Sequence, residues 1–382
     1  MRGSKTGRLK NQIHNGLARA SECQQSGRLA EAEALCRQVL NLDPLRVGAL
    51  CLLGSVLRQQ GNVAAALQSY LKALQANPQS ASTHHDVGGV LTILNRFEEA
   101  AAFLRRAIAL QPQFPDAFLS LGDLYFRWAH LEDAVNCLNQ ALAQNAQLRP
   151  ATERLKTIER ENRELEVLAA EIHRVRQAQT RDVSVIQMAA PQLPRRELLP
   201  HLLNQLGLTG AGTEIGVQRG NFSELLLRQW RGGLLYSVDP WREFRAADYA
   251  DVANVSQAHH DEFYRTAIQR LMPFQHRSVI WRMTSKEASG LVRDQALDFC
   301  YLDGDHSLQG VREDIRLWYP KIKAGGILGG HDYIPDGAHA VGVFGVRSAV
   351  REFVEASRLR LFISAEPDSE FPSWFVLKPQ AQ

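Results

Sequence analysis

Residues 300–333 read CYLDGDHSLQGVREDIRLWYPKIKAGGILGGHDY. An apolar run ends at Asp303, a stretch with helical spacing follows, and a second apolar run ends at His331-Asp332. A helix between two strands lets those strands lie parallel, with the helix covering one face. The same alternation starts at Gly212. Its candidate strands are GTEIGV at 212, LLYSVD at 234, RSVIWRM at 277, LDFCYLD at 297, GILGGHD at 326, LRLFISA at 359 and SWFVLK at 373. These predict an α/β domain with a mostly parallel seven-stranded sheet covered on both faces. Only EPDSEFP parts the last two runs, so they should close the sheet as a C-terminal antiparallel hairpin.

Ligands of such sheets bind beyond the carboxyl ends of the strands. Glu214 and Gly216 end the first run, and Gly220 opens the helix NFSELLLRQW. The spacing is GxxxG, so the dinucleotide fingerprint GxGxxG does not fit. Glycines there let backbone approach a ligand, and the helix start offers free N–H groups. Asp239 ends the second run and suits ribose hydroxyls. Asp303, His306, His331 and Asp332 gather at the fourth and fifth ends. Two carboxylates with an imidazole suit a divalent cation, and Asp305 is a spare carboxylate. Asp303 and Asp305 could instead cap the next helix, with His306 packed at its start. Between the second and third runs, Tyr249, His259, His260 and Asp261 line either a substrate lid or a solvated helix face. The Gly-rich stretch after Tyr333 sits at the same mouth.

The first half repeats itself. Pro44, Pro78 and Pro112 are 34 apart, as are Ala32, Ala66, Ala100 and Ala134. Gly54, Gly88 and Gly122 share that period, with Ala20 one step earlier, and so do Ala73, Ala107 and Ala141. Small residues let two antiparallel helices approach, and each proline stops the second helix of its unit. Gly27, Gly61 and Asn95 mark the turn inside the unit, where a positive φ is tolerated. The predicted units are 13–46, 47–80, 81–114 and 115–148, a four-unit all-α solenoid over 13–148. A capping and connecting helix over 149–179 and a Pro-containing linker over 180–196 follow. The α/β domain takes 197–382.

This repeat resembles the tetratricopeptide repeat, which implies a protein or peptide partner in the groove; a stalk or dimerisation surface is the alternative. Residues 212–378 resemble the class I S-adenosylmethionine-dependent methyltransferases, with EIGVQRGNFS, SVDPW, CYLDGDH and GGILGGHDY as the matching motifs. Within that Rossmann-like family, the 304–333 stretch is similar to small-molecule O-methyltransferases acting on sugars of macrolides and related glycosides. The resemblance implies S-adenosylmethionine as cofactor. Glu214, Gly216 and Gly220 would surround its methionine end, Asp239 would hold the ribose, and Thr284 and Ser285 would lie near the adenine; Val217 is a further cofactor-binding candidate, and Trp241, two residues after Asp239, would stand beside the cofactor or the acceptor. It implies a metal at Asp303, His331 and Asp332. The related enzymes carry Glu where this chain has His331, so magnesium, manganese and zinc all stay open. His306 is then the base that strips the acceptor hydroxyl, a task suited to imidazole near neutral pH.

Composition bounds the rest. The 382 residues are 45% apolar and 22% charged, ordinary globular values that exclude wholesale disorder. Lys plus Arg is 44 against 41 acids, and the excess sits in Arg2, Lys5, Arg8 and Lys10, so no broad nucleic-acid surface is expected. No apolar run reaches the roughly 18 residues of a membrane span. Five cysteines form no CxxC pair, which favours a reducing, cytoplasmic setting. The expected protein is a methyltransferase acting on a small-molecule or glycan hydroxyl, with the repeats recruiting a partner. The alternatives are a protein or carrier-bound acceptor held by the repeats, and a non-catalytic scaffold that senses the cofactor. A homo-oligomer is left open.

Overall fold

The computed structural model describes residues 3–177, 192–245, 253–339, 342–365 and 371–380. The chain divides into two compact units between Ile158 and Glu159.

The first unit is a stack of helix pairs. They are α1 (Gly3–Gln25) with α2 (Leu29–Leu42), α3 (Val47–Gln59) with α4 (Val63–Ala76), α5 (Ala81–Ile93) with α6 (Phe97–Leu110), and α7 (Pro115–Arg127) with α8 (Leu131–Gln144). The 34-residue period is a packing requirement. A Cβ at Gly88 would lie 2.6 Å from Leu104 Cγ, and one at Gly122 would lie 2.8 Å from Leu138 Cγ. At Gly54 it would meet the Tyr70 ring at 2.8 Å. Ala32, Ala66, Ala100 and Ala134 are fully buried on the facing helices. The turns inside the pairs use a left-handed residue: Gly27 (φ 75°), Gly61 (φ 80°), Asn95 (φ 55°) and, in the fourth pair, Ala129 (φ 56°). An alanine there gives no sequence signal, because its side chain disfavours that backbone region.

The helix α9 (Arg149–Gln177) contains the division between the units. In the first unit, Arg154 bonds Asp123 at 2.7 Å and lies over the Phe126 ring. In the second, Glu161 pairs with Arg195 at 3.2 Å, and Arg176 donates to the Leu206 carbonyl at 3.0 Å and to that of Gly325. Of the stretch read as linker, 180–191 lies outside the described residues, as do 178 and 179 at the end of the expected connecting helix. Leu193 is buried and bridges Ser364, so the segment's last residues are held by the sheet.

The second unit begins with the short α10 (Leu199–Gln205) and then alternates strands and helices. These are β1 (Ala211–Ile215), α11 (Asn221–Gln229), β2 (Leu234–Asp239), α12 (Gln257–Leu271), β3 (Ser278–Arg282), α13 (Ser285–Ser289), β4 (Leu297–Leu302), α14 (Leu308–Trp318) and β5 (Ile322–Gly330). A two-stranded ribbon follows, β6 (Gly337–His339) with β7 (Gly342–Phe344), then α15 (Val346–Ser357), β8 (Leu361–Ile363) and β9 (Trp374–Leu377). The seven-stranded sheet has the order β3-β2-β1-β4-β5-β9-β8. Strands β1 to β5 are parallel, while β9 is antiparallel to both β5 and β8, the expected closing hairpin. Strand β4 is buried at every position, as a central parallel strand covered on both faces must be. The separate ribbon was not anticipated; its strands are three residues long and rich in glycine, with no alternating pattern to read. No helix among the described residues is long and apolar enough to cross a membrane.

Candidate functional site

Strand order reverses around β1 and β4, and the chain leaving both strands meets there. Asp303 N–H donates to the Ile215 carbonyl at 2.8 Å, and Gly216 N–H donates to that of Val238 at 2.9 Å. Gly216 (φ 89°) is forced: a Cβ on it would lie 1.9 Å from the Asp303 carbonyl oxygen. Next to it, the Asp239 carboxylate accepts the backbone N–H of Gln218 at 2.9 Å and of Trp241 at 2.7 Å. Burial raises the pKa of Asp239, against the pull of those two bonds. Gln218 (φ 49°) and Trp241 (φ 40°) both sit in the left-handed region, a local strain of the kind that collects at ligand sites.

These ends open on a cavity of about 550 Å³, within the span of small-molecule sites. Gly216, Asp239, Trp241, Thr284, Ser285, Asp303 and His306 all line it. Glu214, Val217 and Gly220 are not among its lining residues. Glu214 is fully buried, with its carboxyl taking the Ser223 hydroxyl, and burial pushes it up to about 8. Val217 packs into an apolar cluster with Trp241, Phe263 and Ala267. At Gly220 (φ 77°) the close approach is to Ala267 of α12, 3.3 Å from where a Cβ would stand. Thr284 caps α13 through a capping box with Glu287, and Ser285 donates to Asp314.

The polar cluster lies on the same rim. His306 Nε2 is 2.9 Å from Asp332 Oδ2 and 3.7 Å from Asp303 Oδ1. His331 Nδ1 is 2.8 Å from Asp332 Oδ1 and 3.8 Å from Asp303 Oδ1. All four expected residues therefore meet. Asp303, His306 and Asp332 each offer one ligand atom, all within 4.8 Å of one another, a spacing one cation can span. Asp332 reaches this place with φ 58°. Burial opposes its charge, but the two imidazoles outweigh burial and hold its carboxyl well below the usual carboxylate range. The helix after Asp303 begins at Leu308, with Ser307 as its cap accepting the Gly310 N–H at 3.0 Å. Neither Asp303 nor Asp305 is that cap; Asp305 instead accepts the Ser307 N–H at 2.9 Å. The His306 ring stacks on Phe344 of the ribbon at 5.1 Å, which places the Gly-rich stretch at the site.

Of the candidate lid residues, His260 lines the cavity and Asp261 pairs with Arg282 at 2.5 Å. His259 bonds Ser256 at 2.8 Å, and Tyr249 lies outside the described residues. Sequence reasoning missed Arg196, whose guanidinium lies 3.6 Å from Asp303 Oδ2 and over the Phe222 ring. A lone arginine at the end of a polar stretch carries no signal. It also missed Asp314, a buried acid lining the cavity. Here a signal existed, because Asp314 stands three residues from Val311 and four from Trp318, inside the apolar stripe of α14.

A family model described as a methyltransferase domain matches residues 213–333. Models of the tetratricopeptide repeat match residues 17–81, 88–127 and 115–147. The chain joins tetratricopeptide repeats to a methyltransferase domain. Human tetratricopeptide repeat protein 7A is 30% identical over 114 residues, 30% of this chain and 13% of that protein. The chain thus matches only a small part of that relative's length. Among solved structures, MamA aligns at 22% identity over 36% of this chain and 81% of its own, with a TM-score of 0.34. An O-GlcNAc transferase mutant from Thermobaculum terrenum aligns at 20% identity over 77% of this chain and 46% of its own, with a TM-score of 0.34.

Proposed function

We propose that the second unit transfers a methyl group from S-adenosylmethionine to a hydroxyl of a sugar or natural product. The observation that carries this is one cavity, in the matched domain, that joins the Asp239 strand end to the Asp303–His306–Asp332 cluster. Its donor set fits the cofactor: a buried carboxylate at a strand end suits ribose hydroxyls, and the cavity's size suits a nucleoside-bearing ligand. When bound, the cofactor supplies an electrophilic methyl group. Asp239, oriented by two backbone N–H groups, binds the ribose. Asp332 holds His306, and His306 takes the proton of the acceptor hydroxyl. The sugar acceptor rests on the motif resemblance. The repeats, an architecture that binds proteins and peptides, recruit a partner.

The cluster also supports a divalent cation. Asp303 and Asp332 would hold it with His331, leaving His306 as the base, and it would place positive charge beside the acceptor oxygen. The 4.8 Å grouping favours a second arrangement with His306 as the third ligand, in which no side-chain base is needed. The test is transfer of labelled methyl to a panel of glycosides, with and without EDTA, for wild type and His306→Ala. Loss of transfer in His306→Ala with EDTA indifference supports the base alone. EDTA loss reversed by manganese or magnesium supports the cation. Methyl transfer unchanged by both overturns the assigned cluster, and no transfer to any hydroxyl overturns the acceptor class.

A further inference from the structure

We propose that Arg196 is a positioning residue of the polar cluster: it holds Asp303 by one carboxylate oxygen, leaves the other for a divalent cation, and by its fixed charge limits how tightly that cation binds. The proposal rests on the reading of Asp303 and Asp332 as cation ligands.

The two oxygens of Asp303 have different surroundings. Oδ2 lies 3.6 Å from Arg196 Nη1, while Oδ1 lies 3.7 Å from His306 Nε2 and 3.8 Å from His331 Nδ1. Asp303 therefore meets the imidazoles through Oδ1 and the guanidinium through Oδ2. A guanidinium keeps its charge and offers no lone pair to a metal, so it competes for the carboxylate without joining the ligand set. Its place is fixed from several sides. The guanidinium carbon is 5.4 Å from the centroid of the buried Phe222 ring. The preceding Arg195 is 3.2 Å from Glu161 in a largely buried pair, and Leu198 is fully buried. The other acid beside Arg196 is Glu197, 3.7 Å from its Nε and shared with Arg195 at 3.8 Å. Anchored in this way, the guanidinium stays beside Asp303 when a cation arrives, as a like charge to that ion.

The sign of the effect separates this role from a structural one. Losing a mere prop loosens the cluster and weakens cation binding, whereas losing a like charge strengthens it. Calorimetric titration of Mn2+ into the metal-free full chain is the measurement. Arg196→Gln should bind Mn2+ about tenfold more tightly than wild type, the size of effect one neighbouring unit charge has on a titrating group. Arg196→Met, with no oxygen to offer the ion, should do the same and stands in if the glutamine variant fails to fold. Arg196→Lys keeps the charge and should bind nearly as wild type does. Arg316→Gln removes an equal charge from a side chain 70% exposed and should leave the affinity unchanged. Binding by the neutral Arg196 variants alone also supports the proposal. Equal or weaker binding by both neutral variants overturns it and leaves the cation reading standing. No binding by wild type or by any variant overturns the cation reading, and the proposal with it.

Discussion

Gly216→Ala is the substitution whose cost the structure states most directly. Its φ of 89° lies outside the regions an alanine adopts without strain, and such placements cost about 1–3 kcal/mol. Its Cβ would also lie 1.9 Å from the Asp303 carbonyl oxygen and 2.4 Å from the carbonyl carbon. These are backbone atoms of the neighbouring strand end, so no rotamer change relieves the clash. Overpacking of this kind adds about 1–3 kcal/mol. The expected loss is about 2–6 kcal/mol, or roughly 4–24 °C in Tm for a unit of this size. Gly27→Ala separates the two contributions. Its φ is 75°, yet nothing lies within 4 Å of the added Cβ, so it should cost only about 1 kcal/mol, in the repeat unit's transition. Thermal and urea unfolding of both variants provide the measurement. A Gly216→Ala protein within 1 kcal/mol of wild type would refute the close crossing of β1 and β4 on which the site depends.

Glu214→Gln should change the pH dependence of stability. The folded protein holds the Glu214 proton up to about 8, above the ordinary carboxyl range, so its contribution is fully present at low pH and lost as pH rises through 8. Relative to wild type, the amide variant should lose that decline, a difference of at most about 1.4 kcal/mol per pH unit, read from urea midpoints at pH 5, 7 and 9. Gly88→Ala should weaken the repeats by about 1–3 kcal/mol through its 2.6 Å clash with Leu104, and Gly88→Ala with Leu104→Ala should cost less than the two singles added, as double-mutant unfolding will show. A fragment starting at Glu159 should unfold at higher urea than one starting at Arg195, because the shorter one loses the Glu161–Arg195 pair and the bonds from Arg176 to the Leu206 and Gly325 carbonyls.

The sheet and the solenoid were legible because both are written as periodicities. Alternating apolar runs locate β1 to β5, and the alanines and glycines at 34-residue spacing are contacts between facing helices. The site residues at strand ends were legible for the same reason, since topology alone brings Asp303 and Asp332 together. What stayed hidden depends on where a side chain turns after its strand ends. Nothing in the spacing shows that Val217 packs with Phe263 or that Glu214 is fully buried against Ser223. Arg196 reaches Asp303 across 107 residues of sequence, a pairing no local pattern encodes. The packing of the second part of α9 within its own unit was equally unreadable, because Glu161 and Arg176 are charged residues in a helix whose charges otherwise read as solvated.

The central claim is that the cavity beside Asp239 holds the methyl donor, and a titration of S-adenosylhomocysteine into the full chain tests it most directly. Wild type should bind one equivalent. Asp239→Ala should keep the wild-type circular dichroism yet bind at least about tenfold more weakly, the least expected when charge-assisted bonds to ribose are lost. Equal affinity in the two proteins, or no heat of binding in the wild type, would contradict the account.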